Sequence, residues 1–222
     1  MNRDALIQEL RGIVGGDYML IEKEDVIVYE QDGSIFQVMP EIVVLPGDVE
    51  QVSAVIKAAR RANVPIVPRG SGTGLAGGAV PAEGGIVLSL ARLNRILEID
   101  LKNRLAIVEP GVINLDVTKS LLKDGFFYAP DPSSQAACSI GGNIANNSGG
   151  PHTLAYGVTT NHVLGVEVVG VDVVGVIGTA PVPVDFGVLT FGSLLGVVGV
   201  LWVGVDVVGV DVAGGVVAGG VA

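Results

Sequence analysis

A short apolar run, Pro65-Ile66-Val67, opens directly into PRGSGTGLAGGAVP at 68–81, and this junction constrains the fold more than any other feature. Glycines stand at 70, 72, 74, 77 and 78. A strand entering such a loop exposes backbone N–H groups with no side chains in front of them. Glycine permits the positive φ angles that curl those groups into a concave nest, and such a nest binds phosphate oxygens. Arg69 adds a bidentate phosphate partner, and Ser71 and Thr73 add hydroxyls. The reading is a pyrophosphate cradle made of Pro68, Arg69, Gly70, Ser71, Gly72, Thr73, Gly74, Gly77 and Gly78. From Gly72, G-x-G-x-x-G is completed by Gly74 and Gly77, but Gly78 and Pro81 interrupt the helix that should open there. No G-K-[ST] follows, so this is not a P-loop. The competing reading is a plain glycine-rich surface loop.

A second block, PDPSSQAACSIGGNIANNSGG at 130–150, combines turn formers (Pro130, Asp131, Pro132), hydroxyls (Ser134, Ser139), a Gly141-Gly142 pair and carboxamides (Asn143, Asn147). Amides and backbone groups of this kind suit a polar, planar ligand hydrogen-bonded along its edge. Two such segments can wrap one extended cofactor.

Together, PRGSGTGLAGG and PDPSSQAACSIGGNIANNSGGPHTLAYGVTTNHVLGVEVV resemble the flavin-binding domain of the vanillyl-alcohol oxidase and p-cresol methylhydroxylase superfamily, the FAD-binding PCMH type. Within it the chain looks like the glycolate oxidase and D-lactate dehydrogenase group, over residues 4–169. The resemblance implies an α+β fold of two subdomains, a βαβ subdomain followed by one with a mixed or antiparallel sheet, with FAD between them. It implies a cofactor set comprising the nine residues at 68–78 named above together with Pro130, Asp131, Ser134, Ser139, Gly141, Gly142, Asn143, Asn147 and Gly157. Thr73 stands where some members carry a flavin-linked histidine, which implies non-covalent FAD. The implied chemistry is oxidation of a small 2-hydroxy acid by hydride transfer to flavin N5, with an iron–sulfur subunit as a candidate electron acceptor. A non-catalytic FAD-binding module is the alternative. The residues name no catalytic base and no metal ligands, and the capping domain that relatives add over the substrate is expected to be absent.

Periodicity fills in the elements. Residues 4–14 read as an amphipathic helix stopped by Gly15-Gly16. A buried strand lies within 37–46. Asp48 is placed to cap a helix over 49–62, and 65–68 forms the next strand, completing a βαβ unit with its loop at the carboxyl end. Further strands are expected at 86–90, 97–100, 105–108 and 163–169, and a helix at 115–122 ended by Gly125. The organisation is a helical lead-in at 1–36, the FAD-binding domain at 37–169 and a Val/Gly-rich tail at 170–222. That tail holds 19 valines and 13 glycines and repeats GVDVVGV at 170–176 and 204–210. Such a sequence has β-propensity but little to fix register, so it is expected to add little specific stability. Gly192-Ser193-Leu194-Leu195-Gly196 only faintly echoes a further flavin segment of the relatives.

Charge and composition restrict the setting. A net charge of −10 argues against nucleic acid or anionic membrane as partner. The uncharged stretch 186–205 has the length of a membrane span, but its five glycines and β-branched residues favour strand instead. The single cysteine, Cys138, fits a reducing cytoplasm and reads as a buried filler. MNRDALIQEL lacks the apolar core of a secretory signal. His152 is placed near the flavin, and His162 reads as structural.

Overall fold

Three parallel strands lie at the centre of the first subdomain of the computed structural model, which describes residues 3–81, 85–170, 174–177, 200–206 and 208–209. Strand β1 (Met19–Leu20) follows helix α1 (Arg3–Val14), and α2 (Lys23–Val26) precedes β2 (Ile42–Val44). Helix α3 (Val49–Ala62), β3 (Ile66–Arg69) and β4 (Ile86–Ser89) come next. The sheet order is β1-β2-β4-β3, with β2, β4 and β3 parallel and β1 antiparallel at the edge. The expected βαβ unit is present, and β4 inserts between its two strands.

The apolar runs in β2 and β4 reflect burial on both faces, as parallel sheets require. Ile42, Val44, Ile86 and Leu88 pack with Leu6, Leu10, Val52 and Ile56 of α1 and α3. Val43 and Val87 face the other way, toward Val26 of α2. The 1–36 lead-in is thus built into this subdomain, supplying a helix to one core and a residue to the other. Asp48 caps α3 as expected, its Oδ1 accepting from Gln51 N at 2.7 Å. The helix ends at Asn63, which adopts the left-handed conformation at φ 56°.

The second subdomain is an antiparallel sheet ordered β5-β6-β10-β8-β9. It comprises β5 (Ile96–Asp100), β6 (Leu105–Val108), β8 (Val163–Val169), β9 (Val174–Ile177) and β10 (Val200–Asp206). Helices α4 (Asn114–Leu121) and α5 (Ile140–Ala145) contribute Val117, Leu121, Ile140 and Ile144 to a core with Ala106, Val108 and Val166. Gly125 ends the α4 segment at φ 77°. Helix α6 (Thr153–Tyr156) and the short pair β7 (Phe126–Phe127) and β11 (Val208–Gly209) complete the described elements.

The tail was expected to add little specific stability, and in the structure β10 lies between β6 and β8 at the centre of the second sheet. Its pairing with β8 shifts register twice, between Val200 and Val203 and between Gly204 and Val205. The Gly192–Gly196 echo and most of the 186–205 stretch lie outside the described residues. Among the described residues, no helix is long and apolar enough to cross a membrane.

Candidate cofactor site

The carboxyl end of β3 delivers the glycine-rich loop against the start of α5. A Cβ built on Gly70 would fall on the Ser139 side chain, with Gly142 N 3.8 Å away. The two segments, far apart in sequence, therefore touch only because residue 70 has no side chain. Gly70, Ser71 and Ser139 line one cavity of about 360 Å³. Its other walls include Gly111, Val112, Ile113 and the exposed Asp116, whose carboxylate pairs with Lys119 at 2.7 Å.

The residues 110–114 were missed by sequence reasoning. They form the seam to which the second segment is attached. Ile140 N donates to Val112 O and Gly141 N to Pro110 O, both at 2.8 Å, while Asn114 N donates to Cys138 O at 3.0 Å. Gly141 is a glycine because a Cβ there would lie 2.8 Å from the Pro110 ring. The available signal was Pro110-Gly111, a turn directly after a strand.

The two segments differ in what their backbones offer. Among the described residues, no acceptor is found for the N–H groups of residues 71–78. In the second segment the N–H groups of Ile140, Gly141, Asn143, Asn146 and Asn147 donate to carbonyls, and Gly142 N donates to Ser139 Oγ at 3.4 Å. The first segment is a donor-rich loop, whereas the second is an internally bonded wall. Gly72, at φ 69°, supplies the left-handed turn that curls the loop.

Three residues assigned to the cofactor from the sequence have protein partners in the structure. Arg69 was expected to offer its charge to phosphate. It is 8% exposed, with its guanidinium donating to Gln31 O at 2.9 Å, Ala79 O at 3.3 Å and Tyr29 O at 3.5 Å. Burial lowers its pKa, opposed by the charge of Asp32. Asn143 was expected to meet a ligand edge, but it is buried. Its Oδ1 accepts from Asn114 Nδ2 at 2.9 Å, and its Nδ2 donates to Cys138 Sγ at 3.2 Å. Asn147 likewise has a local role, its Oδ1 accepting from Thr160 N at 3.0 Å.

The remaining predicted residues do not line the cavity. Pro68 sits exposed in β3. The carbonyls of Thr73 and Gly74 lie against Gly33, Gly77 lies under the Phe36 ring at φ 75°, and Gly78 has open space around it. Pro130 O accepts from Asn114 Nδ2 at 3.0 Å, and Ser134 O accepts from the N–H groups of Ala137 and Cys138 at 2.8 Å. Asp131 Oδ2 meets His152 Nδ1 at 2.5 Å. Gly157, at φ 83°, leaves room for Asn161, whose Oδ1 would lie 2.7 Å from a Cβ there. His162 is buried, with Nε2 2.8 Å from Tyr156 O.

Residues 40–172 match the model of a family described as an FAD binding domain. The chain belongs to that family. It is 47% identical over 169 residues to glycolate oxidase subunit GlcD of Escherichia coli strain K12, covering 76% of this chain and 34% of that protein. It is 43% identical over 128 residues to a D-lactate dehydrogenase of Archaeoglobus fulgidus, covering 58% of this chain and 28% of that one. The chain thus spans about a third of the length of these relatives. The solved structure of p-cresol methylhydroxylase shares the fold, with a TM-score of 0.78 at 21% identity, over 95% of this chain and 44% of that one. The α+β fold with two sheets is that of the FAD-binding module of such enzymes.

Proposed function

We propose that this chain binds FAD non-covalently between its two glycine-rich segments and forms the flavin-binding portion of an oxidoreductase acting on a small 2-hydroxy acid such as glycolate or D-lactate. The observation that carries this reading is the meeting of Gly70 and Ser71 with Ser139 at one cavity, beside a loop whose N–H groups at 71–78 have no acceptor among the described residues.

The donor set fits a pyrophosphate. Unengaged N–H groups on a loop free of large side chains at 70–74 can close on phosphate oxygens. The wall at Ser139, Gly111 and Val112 is uncharged and close-packed, which suits the less charged parts of the cofactor. When bound, FAD supplies the redox chemistry, accepting a hydride from the substrate Cα at flavin N5. The chain's own residues hold and orient the cofactor and keep its phosphates in a fixed concavity. Thr73, standing where some family members have a flavin-linked histidine, supports dissociable attachment. The 2-hydroxy acids named for the relatives support the substrate class, and GlcD being a subunit supports a partner chain.

The test is the absorbance spectrum of the purified chain with FAD, followed by anaerobic glycolate or D-lactate. Flavin absorbance that co-purifies, bleaches with one of these acids and is released into the supernatant by acid is the expected result. Flavin left in the acid pellet would contradict dissociable attachment. A protein that holds no flavin would overturn the whole reading. One that holds flavin but never bleaches is a binding module without turnover.

A further inference from the structure

We propose that Arg69 is a positioning residue of the phosphate loop: it ties the neck of that loop to residues 29–32, so that a stretch outside the matched family region shapes the site. The inference rests on the FAD reading above. The guanidinium leaves the end of β3, reaches Ala79 O at the far end of the loop and continues to Tyr29 O and Gln31 O. It therefore joins the entry and the exit of the loop through one planar group. It also lies over the Tyr29 ring, 5.6 Å from the centroid.

Independent contacts tie the same two stretches together. Ala79 N donates to Asp32 Oδ2 at 3.4 Å, and Asp32 Oδ1 is held by Ser34 N at 2.8 Å. A Cβ on Gly33 would lie 2.8 Å from Gly74 O and 2.9 Å from Thr73 O, so the backbones are in direct contact. Gly77 is covered by the Phe36 ring. Gly72, the left-handed residue of the loop, sits so close to the guanidinium that its Cβ would come within 2.6 Å of Arg69 Cζ. Residues 29–36 thus touch the loop at its entry, its middle and its exit. Arg69 is the group that fixes the spacing of all three.

A lysine keeps the charge but cannot serve three carbonyls from one plane. A direct phosphate ligand tolerates that change, whereas a brace does not. Ionic strength separates the two roles again, because neutralising a residue that touches phosphate flattens the dependence of affinity on salt. The experiment measures FAD affinity by flavin fluorescence at several salt concentrations for wild type, Arg69→Lys, Arg69→Gln and Gly33→Ala, with circular dichroism as the folding check. Arg69→Lys and Arg69→Gln are both expected to bind about tenfold more weakly, with the wild-type salt slope retained. Lysine binding as wild type does, or glutamine flattening the slope, overturns the proposal. If the Arg69 variants do not fold, Gly33→Ala decides, since it removes no charge and alters only the clamp. It is expected to weaken FAD about threefold, and unchanged affinity overturns the proposal. Hydrogen exchange without FAD keeps the two readings separate. Faster exchange of the hydrogen-bonded Ala79 and Val80 amides in Arg69→Lys or Gly33→Ala is expected even if wild type shows no affinity for flavin, and unchanged exchange of both overturns the brace.

Discussion

The loop at 70–78 and the segment at 130–150 look alike in sequence, each rich in glycine, hydroxyls and turn formers, yet the fold gives them opposite work. The first has, among the described residues, no acceptors for its N–H groups at 71–78 and is held by a buried cation at its neck. The second has its N–H groups bonded internally and is held by neutral amides, with Asn143 between Asn114 and Cys138. Composition reports what a backbone is free to do. Which N–H groups remain available depends on the elements packed beside them. A cation suits the first because it donates at once to Ala79 O at the loop's exit and to Tyr29 O and Gln31 O of the neighbouring stretch. Amides suit the second because a buried group must both donate and accept.

The largest test of the contrast is Gly72→Val. The residue is at φ 69° with the guanidinium directly over its Cβ position, so a β-branched side chain meets both strain and a clash. FAD affinity should fall by more than about tenfold, or ~1.4 kcal/mol, read by fluorescence titration on the folded fraction. Unchanged affinity would remove the first segment from the cradle.

Asn143→Leu should act the other way round. It leaves Cys138 Sγ without its amide and Asn114 Nδ2 with Pro130 O alone, so it should destabilise the fold by about 2 kcal/mol. The check is urea unfolding, with FAD affinity of the folded protein moving less than for Gly72→Val. If affinity collapses while stability holds, Asn143 touches the cofactor after all.

Acid separates the two supports as well. Burial alone would raise the pKa of Asp32, but hydrogen bonds from Ser34 and Ala79 and the charge of Arg69 bring it below its ordinary 3.8. A carboxylate with a lower pKa folded than unfolded stabilises fully above the unfolded value, and that contribution is lost as pH falls through the folded one. The stability gap between wild type and Asp32→Asn should therefore persist at about pH 5 and close as pH drops below about 3.8. The gap for Asn143→Leu should not close, because carboxamides have no proton to gain in that range. Parallel behaviour of the two variants would show that Asp32 does not brace the loop through its charge.

Much of this was legible in the chain and some was not, for identifiable reasons. Helix α3 was readable because its cap, its apolar face and its end are all local in sequence. The glycine-rich loop after β3 was readable because its spacing after a strand is also local. The insertion of β4 between β2 and β3 was not, since parallel pairing joins residues distant in sequence. The protein partners of Arg69 were not legible for the same reason: residues 29 and 31 offer it backbone carbonyls, which carry no sequence signal. The repeat shows the limit most directly. GVDVVGV places Val174 beside Val169 of β8 in one copy, and Val208 beside Phe127 of β7 in the other. Identical sequences take different neighbours, so neither register could be read from the residues.

The smallest expected effect sharpens the comparison inside the first segment itself. Gly77 and Gly78 are adjacent and equally suggestive in sequence, but only Gly77 is required as glycine. Gly77 has φ 75°, and a Cβ there would lie 2.7 Å from the Phe36 ring, whereas a Cβ on Gly78 meets nothing within 4 Å. Gly78 is also absent from the positive-φ residues. Alanine at 78 therefore adds no strain, and it reduces the freedom of the unfolded chain, which favours folding slightly. Gly78→Ala should leave FAD affinity within about twofold and stability within about 0.5 kcal/mol, whereas Gly77→Ala should lower both. If Gly78→Ala weakens FAD as strongly as Gly77→Ala does, the open space beside residue 78 belongs to the cofactor. The cradle would then extend past the Arg69 brace to the end of the loop.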